Sequence, residues 1–198
     1  MKPIIGIITR KSKSSSGNDI DIIYSDIISS VIRSGGIPIG IDNNIDTYID
    51  ICNGYILQGG DDIDSNNINI LKILYEKDIP VLGICLGMQE MGVFKDGILV
   101  DTLGHLDNKL HKINIKKDSL LYNIINKEEI LVNSRHKSIV NKTNLCVSGI
   151  SYDNYIEAIE DKNKKFFLGI QWHPENMYDT SVDAKKIFDY FINICVKE

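Results

Sequence analysis

The run Pro80-Val81-Leu82-Gly83-Ile84-Cys85-Leu86-Gly87-Met88-Gln89 constrains the fold more than any other stretch of this chain. A short apolar segment leads straight into a thiol that has glycine two residues before it and two residues after it. A strand that turns sharply into a helix can push one side chain out at the sheet's edge only if its i−2 and i+2 neighbours have no side chains to collide. Gly83 and Gly87 meet that need, so the spacing predicts a strand over Val81 to Ile84, a helix beginning near Leu86, and Cys85 at the bend. The start of that helix would direct unsatisfied N–H groups and a positive dipole end at the sulfur, which favours thiolate over thiol. The plainer reading of any cysteine is a buried structural thiol; the paired glycines favour the nucleophile.

A thiolate nucleophile needs a base. Far downstream, Gly169-Ile170-Gln171-Trp172-His173-Pro174-Glu175 reads as a second strand ending in a histidine, with a carboxylate two residues on. Cys85, His173 and Glu175 therefore supply a nucleophile, a general base and a group to orient that base.

The rest of the pattern alternates strands with helices. Ile4 to Thr9 is a short branched apolar run expected to be a buried strand, and Lys11 to Asn18 a polar loop. From Ile20, apolar residues at Ile20, Ile23, Tyr24, Ile27, Ile28, Val31 and Ile32 keep helical spacing until Gly35-Gly36. Ile37 to Ile41, Gly54 to Leu57 and Val81 to Ile84 are further strands, with helical material near Asn66 to Lys77. Such alternation predicts an α/β fold with a mostly parallel, doubly wound sheet, whose ligand site lies at the strands' carboxyl ends. Between Lys95 and Asp161, strand-like stretches with turn-rich joins predict added antiparallel strands. Phe166 to Gln171 returns as a core strand, and a helical stripe from Ala184 to Cys195 closes the chain behind a cap at Thr180-Ser181.

Composition narrows the function. The 198 residues, 43% apolar, are expected to form one domain over 1–198. A net charge of −5 with interspersed signs argues against a nucleic-acid partner. No apolar run reaches the roughly 18–20 residues of a membrane span and no leader pattern opens the chain, so a cytoplasmic protein is expected. Cys52, Cys85, Cys146 and Cys195 are widely spaced, without a Cys-x-x-Cys pair or histidines at metal spacing beside them, so neither disulfides nor a metal are indicated.

Taken together, Gly-Ile-Cys85-Leu-Gly-Met-Gln and Gln-Trp-His173-Pro-Glu resemble the class I glutamine amidotransferases. The closer likeness is to the peptidase C26 branch that includes the gamma-glutamyl-gamma-aminobutyrate hydrolases. Lys2-Pro3-Ile4-Ile5-Gly6-Ile7-Ile8-Thr9, Gln58-Gly59-Gly60-Asp61-Asp62-Ile63-Asp64 and Val132-Asn133-Ser134-Arg135-His136 are similar to that branch's opening, glycine-rich loop and Val-Asn-Ser-x-His segment, in the same order. The resemblance implies a flavodoxin-like class I glutamine amidotransferase fold and a Cys85–His173–Glu175 triad. It implies an oxyanion hole from the backbone of Gly60 and Leu86. It also implies a glutamyl pocket built from Gly59, Gln89, Asn133, Ser134, Arg135 and His136. Amide chemistry by a thiolate calls for no cofactor.

The implied activity is hydrolysis of gamma-glutamyl amides through a glutamyl thioester, with a small gamma-glutamyl amide or glutamine as substrate. The alternative is a glutaminase subunit that passes ammonia to a synthase partner; a homodimer is the other assembly the resemblance allows. A binding protein on a retired scaffold is disfavoured by the complete Cys, His and Glu set. Three departures bear on substrate: Asp64-Ser65-Asn66 stands where the branch carries a proline, Leu86 where many of its hydrolases carry arginine, and Lys137-Ser138 where His-Gln is usual.

Overall fold

The computed structural model describes residues 1–42, 44–102, 105–106 and 109–196. In chain order its elements are β1 (Ile4–Ile8), β2 (Arg10–Lys13), β3 (Asp19–Ile22), α1 (Ser25–Arg33), β4 (Ile37–Ile41), α2 (Ile45–Tyr48), β5 (Gly54–Leu57), α3 (Ser65–Glu76), β6 (Val81–Ile84) and α4 (Leu86–Phe94). There follow β7 (Ile98–Asp101), β8 (His111–Ile115), α5 (Leu120–Ile125), β9 (Glu129–Val132), β10 (Ser138–Lys142), β11 (Cys146–Ser151), β12 (Ile156–Glu160), β13 (Phe167–Ile170), a 3₁₀ turn (Pro174–Met177) and α6 (Val182–Cys195).

A nine-stranded sheet in the order β4-β1-β5-β6-β13-β12-β11-β8-β9 forms the centre. From β4 to β13 the neighbours are parallel; from β13 to β9 each is antiparallel to the last. The inner parallel strands β5, β6 and β13 are buried on both faces, which is why they read as unbroken apolar runs. One face packs Ile5, Ile7, Leu82 and Ile170 against Ile27 and Val31 of α1 and Ile187, Phe188 and Phe191 of α6. The other packs Ile8, Leu57, Val81 and Phe167 against Ile70 and Leu74 of α3 and Met88 and Met91 of α4. The α6 stripe starts at the expected cap, where Ser181 Oγ accepts the Ala184 N–H at 3.2 Å.

The stretch expected to be a polar loop and then a helix from Ile20 folds differently. Arg10–Lys13 and Asp19–Ile22 pair as an antiparallel ribbon, and the helix begins only at Ser25. Exposed ion pairs Lys11–Asp21 and Lys13–Asp19 run across the ribbon, and Gly17 at φ 84° closes its tip. Ile20 matched the helical spacing only by coincidence; it is 37% exposed on the ribbon. The short α5 and the β7–β10 pair, both embedded in turn-rich sequence, also lay outside the pattern expected.

Candidate active site

Cys85 stands between β6 and α4 with φ 52° and ψ −106°, a left-handed backbone position that costs a residue other than glycine on the order of 1–3 kcal/mol. The surroundings enforce it. Cys85 N–H donates to Ile170 O at 2.8 Å, and Gln89 N–H donates to Cys85 O at 3.1 Å. A Cβ on Gly87 would land on the backbone carbonyl of Leu57, and one on Gly83 would strike Met91 Sδ and the Gly87 backbone. Strand and helix thus cross too closely for any side chain there. Two positive ends approach the sulfur: the N-terminus of α4, and the Gln171 amide, whose Nε2 lies 3.6 Å from Cys85 Sγ. Gln171 was in view in the sequence as part of the histidine motif but had no role there.

His173 follows β13 and faces the same cavity as Cys85. Its Nδ1 lies 2.7 Å from Glu175 Oε1, the carboxylate being held in the 3₁₀ turn that Pro174 starts. Burial alone would lower the histidine's pKa. Hydrogen bonding to Cys85 and Glu175, with the negative charge of both, outweighs that and raises it to about 10. The raised pKa favours the protonated ring, the form that can give a proton to a leaving group.

Asn133, expected in the glutamyl pocket, spends both ends of its amide on the backbone of His173: Oδ1 accepts the His173 N–H at 2.8 Å and Nδ2 donates to His173 O at 3.1 Å. It acts on the imidazole's placement. Ser134 points away from Cys85, its hydroxyl 2.8 Å from His105 Nδ1, and His136 turns the same way, with Nε2 3.2 Å from His105 Nδ1.

The Gly59-Gly60 loop lies against both reactive side chains. A Cβ on Gly59 would come within 3.1 Å of His173 Cε1 and 3.7 Å of Cys85 Cβ; one on Gly60 would come within 2.8 Å of Leu86 Cδ2. What holds this loop was invisible in the sequence. Arg10 donates Nε–H to Gly59 O at 3.1 Å and Nη2–H to Gln58 O. The same guanidinium grips Glu90 with two bonds, of 2.7 and 2.9 Å. Glu90 is completely buried on α4, one turn beyond the nucleophile, and also accepts from Asn67 Nδ2 at 2.8 Å. One buried ion pair thus ties the glycine loop to the nucleophile's helix.

Two cavities meet at Cys85. The larger, about 250 Å³, is lined by Tyr24, Asp26, Gly60, His173, Glu175 and Asn176. The smaller, about 70 Å³, is lined by Gly60, Gln89, His136, Lys137 and Ser138. Arg135 borders both and bonds Asn176 Oδ1 at 2.9 Å. Gln89 is fixed by its Nε2, which donates to Ser138 O at 2.7 Å and Gln171 Oε1 at 3.2 Å.

Comparison with known proteins gives the family and the fold. The peptidase C26 family profile matches residues 64–175, the span from the start of α3 through the Cys85 elbow to Glu175. A glutamine amidotransferase-like protein of Rickettsia prowazekii is 28% identical, over 93% of this chain and 95% of the relative. The gamma-glutamyl-gamma-aminobutyrate hydrolase PuuD of Escherichia coli is 24% identical, over 98% and 93%. Among solved structures, the glutaminase domain of CTPS from Trypanosoma brucei with bound acivicin superposes with a TM-score of 0.71 at 18% identity, covering 98% of this chain and 93% of that one. At that identity the likeness concerns the fold alone.

Proposed function

The chain belongs to the peptidase C26 family, and from that premise we propose that it hydrolyses gamma-glutamyl amides through a glutamyl thioester on Cys85. The observation that carries the proposal is the convergence of a thiol on a strained elbow, a histidine braced by a carboxylate, and a glycine loop clamped beside them.

The thiolate attacks the side-chain amide carbon, and the carbonyl electrons move onto oxygen. Backbone N–H groups of Leu86 and Gly60 receive that oxyanion; loss of one such donor costs roughly 10²–10³ in rate in enzymes of this chemistry. As the oxyanion collapses, the C–N bond breaks and the departing nitrogen takes the proton from His173. Water then gives a proton to His173 while its oxygen adds to the thioester carbon. A second collapse expels the thiolate and releases glutamate, leaving His173 protonated as at the start.

An acid must stand on the side from which the leaving group departs. His173 and Glu175 border the larger cavity and Gln89 the smaller, so the amine is assigned to the former and the glutamyl group to the latter. The larger space holds the amine loosely, which implies tolerance for different amines. The test is a panel of glutamine, gamma-glutamyl-aminobutyrate and gamma-glutamyl-anilide. Release of glutamate and amine in equal amounts from all three, and from none with Cys85→Ala, is expected. Strict preference for one amide would refute the loose amine side, and inertness toward all three would refute hydrolysis by the chain alone.

Leu86 after the nucleophile favours a second reading, a glutaminase that hands ammonia to a synthase partner. In that case the purified chain is idle and gains glutaminase activity only with a co-purifying synthetase. Among the described residues no helix is long and apolar enough to cross a membrane, and we place the reaction in the cytoplasm.

A further inference from the structure

Away from Cys85, three of the four histidines of this chain turn their ring nitrogens toward one carboxylate. Glu157, on β12, is completely buried, and His105, His111 and His136 are 4%, 9% and 3% exposed. Glu157 Oε1 lies 3.2 Å from His111 Nε2, 3.6 Å from His136 Nε2 and 3.9 Å from His105 Nδ1, and the last two nitrogens are 3.2 Å apart. The donor atoms of His105, His111 and Glu157 all fall within 4.8 Å of one another. Four ligands at about 2.0–2.1 Å from a tetrahedral ion are separated by about 3.3–3.5 Å, and the 3.2 and 3.9 Å separations of Glu157 Oε1 from His111 Nε2 and His105 Nδ1 bracket that value.

Hydrogen bonding around the cluster points the same way. His105 Nε2 is 2.9 Å from Asp153 Oδ2, and Asp153 is itself held by the Ser151 hydroxyl. A carboxylate on one ring nitrogen fixes the proton there and turns the lone pair of the other, Nδ1, inward; this is the outer partner that metal-bound histidines regularly carry. Nδ1 lies 3.9 Å from Glu157 Oε1, so both can face one cation. Buried Glu157 Oε2 has no partner among the described residues, which leaves half of that carboxylate's charge uncompensated. A cavity of about 440 Å³ bordered by His105, His111, Leu131, Ser134 and Tyr152 adjoins the cluster and offers a route in.

We propose that His105, His111 and Glu157 bind one divalent transition-metal ion, with zinc suited best by two imidazoles and a carboxylate that leave the fourth tetrahedral position to a ligand from outside this set. The ion's effect reaches the candidate active site through Ser134 and His136, which lie 2.8 and 3.2 Å from His105 Nδ1 in the run 133–136, where Asn133 clamps His173 and Arg135 borders both cavities. The inference does not depend on the identity of the amide substrate.

The experiment uses the full chain with Cys85→Ser, which removes the reactive thiol as a competing ligand. Metal-stripped protein is titrated with Co²⁺ and followed by visible absorption, and a second sample is dialysed against Zn²⁺ and analysed for metal. The expected result is one ion per chain, the intense visible bands of four-coordinate cobalt, and a thermal midpoint that climbs with free zinc as mass action requires. His111→Ala and Glu157→Gln, checked for folding by circular dichroism, should each weaken binding at least tenfold. Less than one ion per chain, or only the faint spectrum of six-coordinate cobalt, would overturn the proposal in the Cys85→Ser protein alone, whether or not the further variants fold. Undiminished binding in folded His111→Ala and Glu157→Gln would place the metal elsewhere and overturn it equally.

Discussion

Replacing Arg10 with methionine separates two jobs that one side chain performs. The guanidinium neutralises Glu90 through bonds of 2.7 and 2.9 Å, and it holds the carbonyls of Gln58 and Gly59. Removing one partner of a buried ion pair costs about 3–5 kcal/mol, because the other charge stays buried. Glu90 keeps the Asn67 amide at 2.8 Å and the Asp64 N–H at 3.3 Å, which places the loss near the lower end, about 3 kcal/mol. Against a total stability of roughly 5–15 kcal/mol the variant still folds. Adding Glu90→Gln removes the stranded charge while keeping an acceptor for Asn67 and Asp64, so the double variant should regain most of that stability. It does not restore the donors to Gln58 and Gly59, so the Gly60 N–H stays misplaced and kcat stays down by roughly 10²–10³, the worth of one oxyanion donor. Urea unfolding gives the first quantity, and steady-state turnover of gamma-glutamyl-anilide gives the second. A double variant that recovered kcat along with stability would refute the assignment of Arg10 as the clamp of the oxyanion loop. A single variant costing under about 1 kcal/mol would refute the reasoning about the buried pair.

Cys85→Ala should be inactive at nearly unchanged stability, whereas Cys85→Gly should be inactive and about 1 kcal/mol more stable by chemical denaturation, because glycine relieves the φ of 52°. Gly87→Ala drives a methyl group onto the Leu57 carbonyl and should destabilise by about 3 kcal/mol or more, read as a lowered urea midpoint. Asn133→Ala should cost about 1–3 kcal/mol for two lost buried bonds and lower kcat with little change in KM, since it touches His173 and not the substrate. Because the His173 pKa is raised, the protonated acid persists from neutral pH up to about 10 and is lost above it. The alkaline limb of kcat/KM should therefore fall near pH 10 and shift to lower pH in Glu175→Gln, whose carboxylate is one of the groups that hold the proton.

The elbow was legible in the sequence because part of its cause is local: Gly83 and Gly87 face each other across Cys85, and a Cβ on Gly83 would strike the Gly87 backbone whatever the rest of the fold does. The parallel strands and the stripe of α6 were legible for a related reason, since burial on both faces or on one face writes a run or a period into adjacent residues. The β2–β3 ribbon was not, because short polar strands are held by pairing across a turn, and Ile20 and Ile23 satisfy a helical period without belonging to one helix. The grip of Arg10 on Glu90 and on the Gly59 carbonyl, the clamp of Asn133 on His173 and the meeting of three histidines at Glu157 have no local signature at all. Each joins strand ends or loops far apart along the chain, and cysteine spacing could say nothing about a cluster built from one histidine on β8 and two on loops. The sequence by itself determined which residues could carry thiol chemistry and the kind of sheet that would present them. Which polar groups brace them was decided only by tertiary structure, because a buried charge or lone pair selects its partner by distance in space after the sheet has formed.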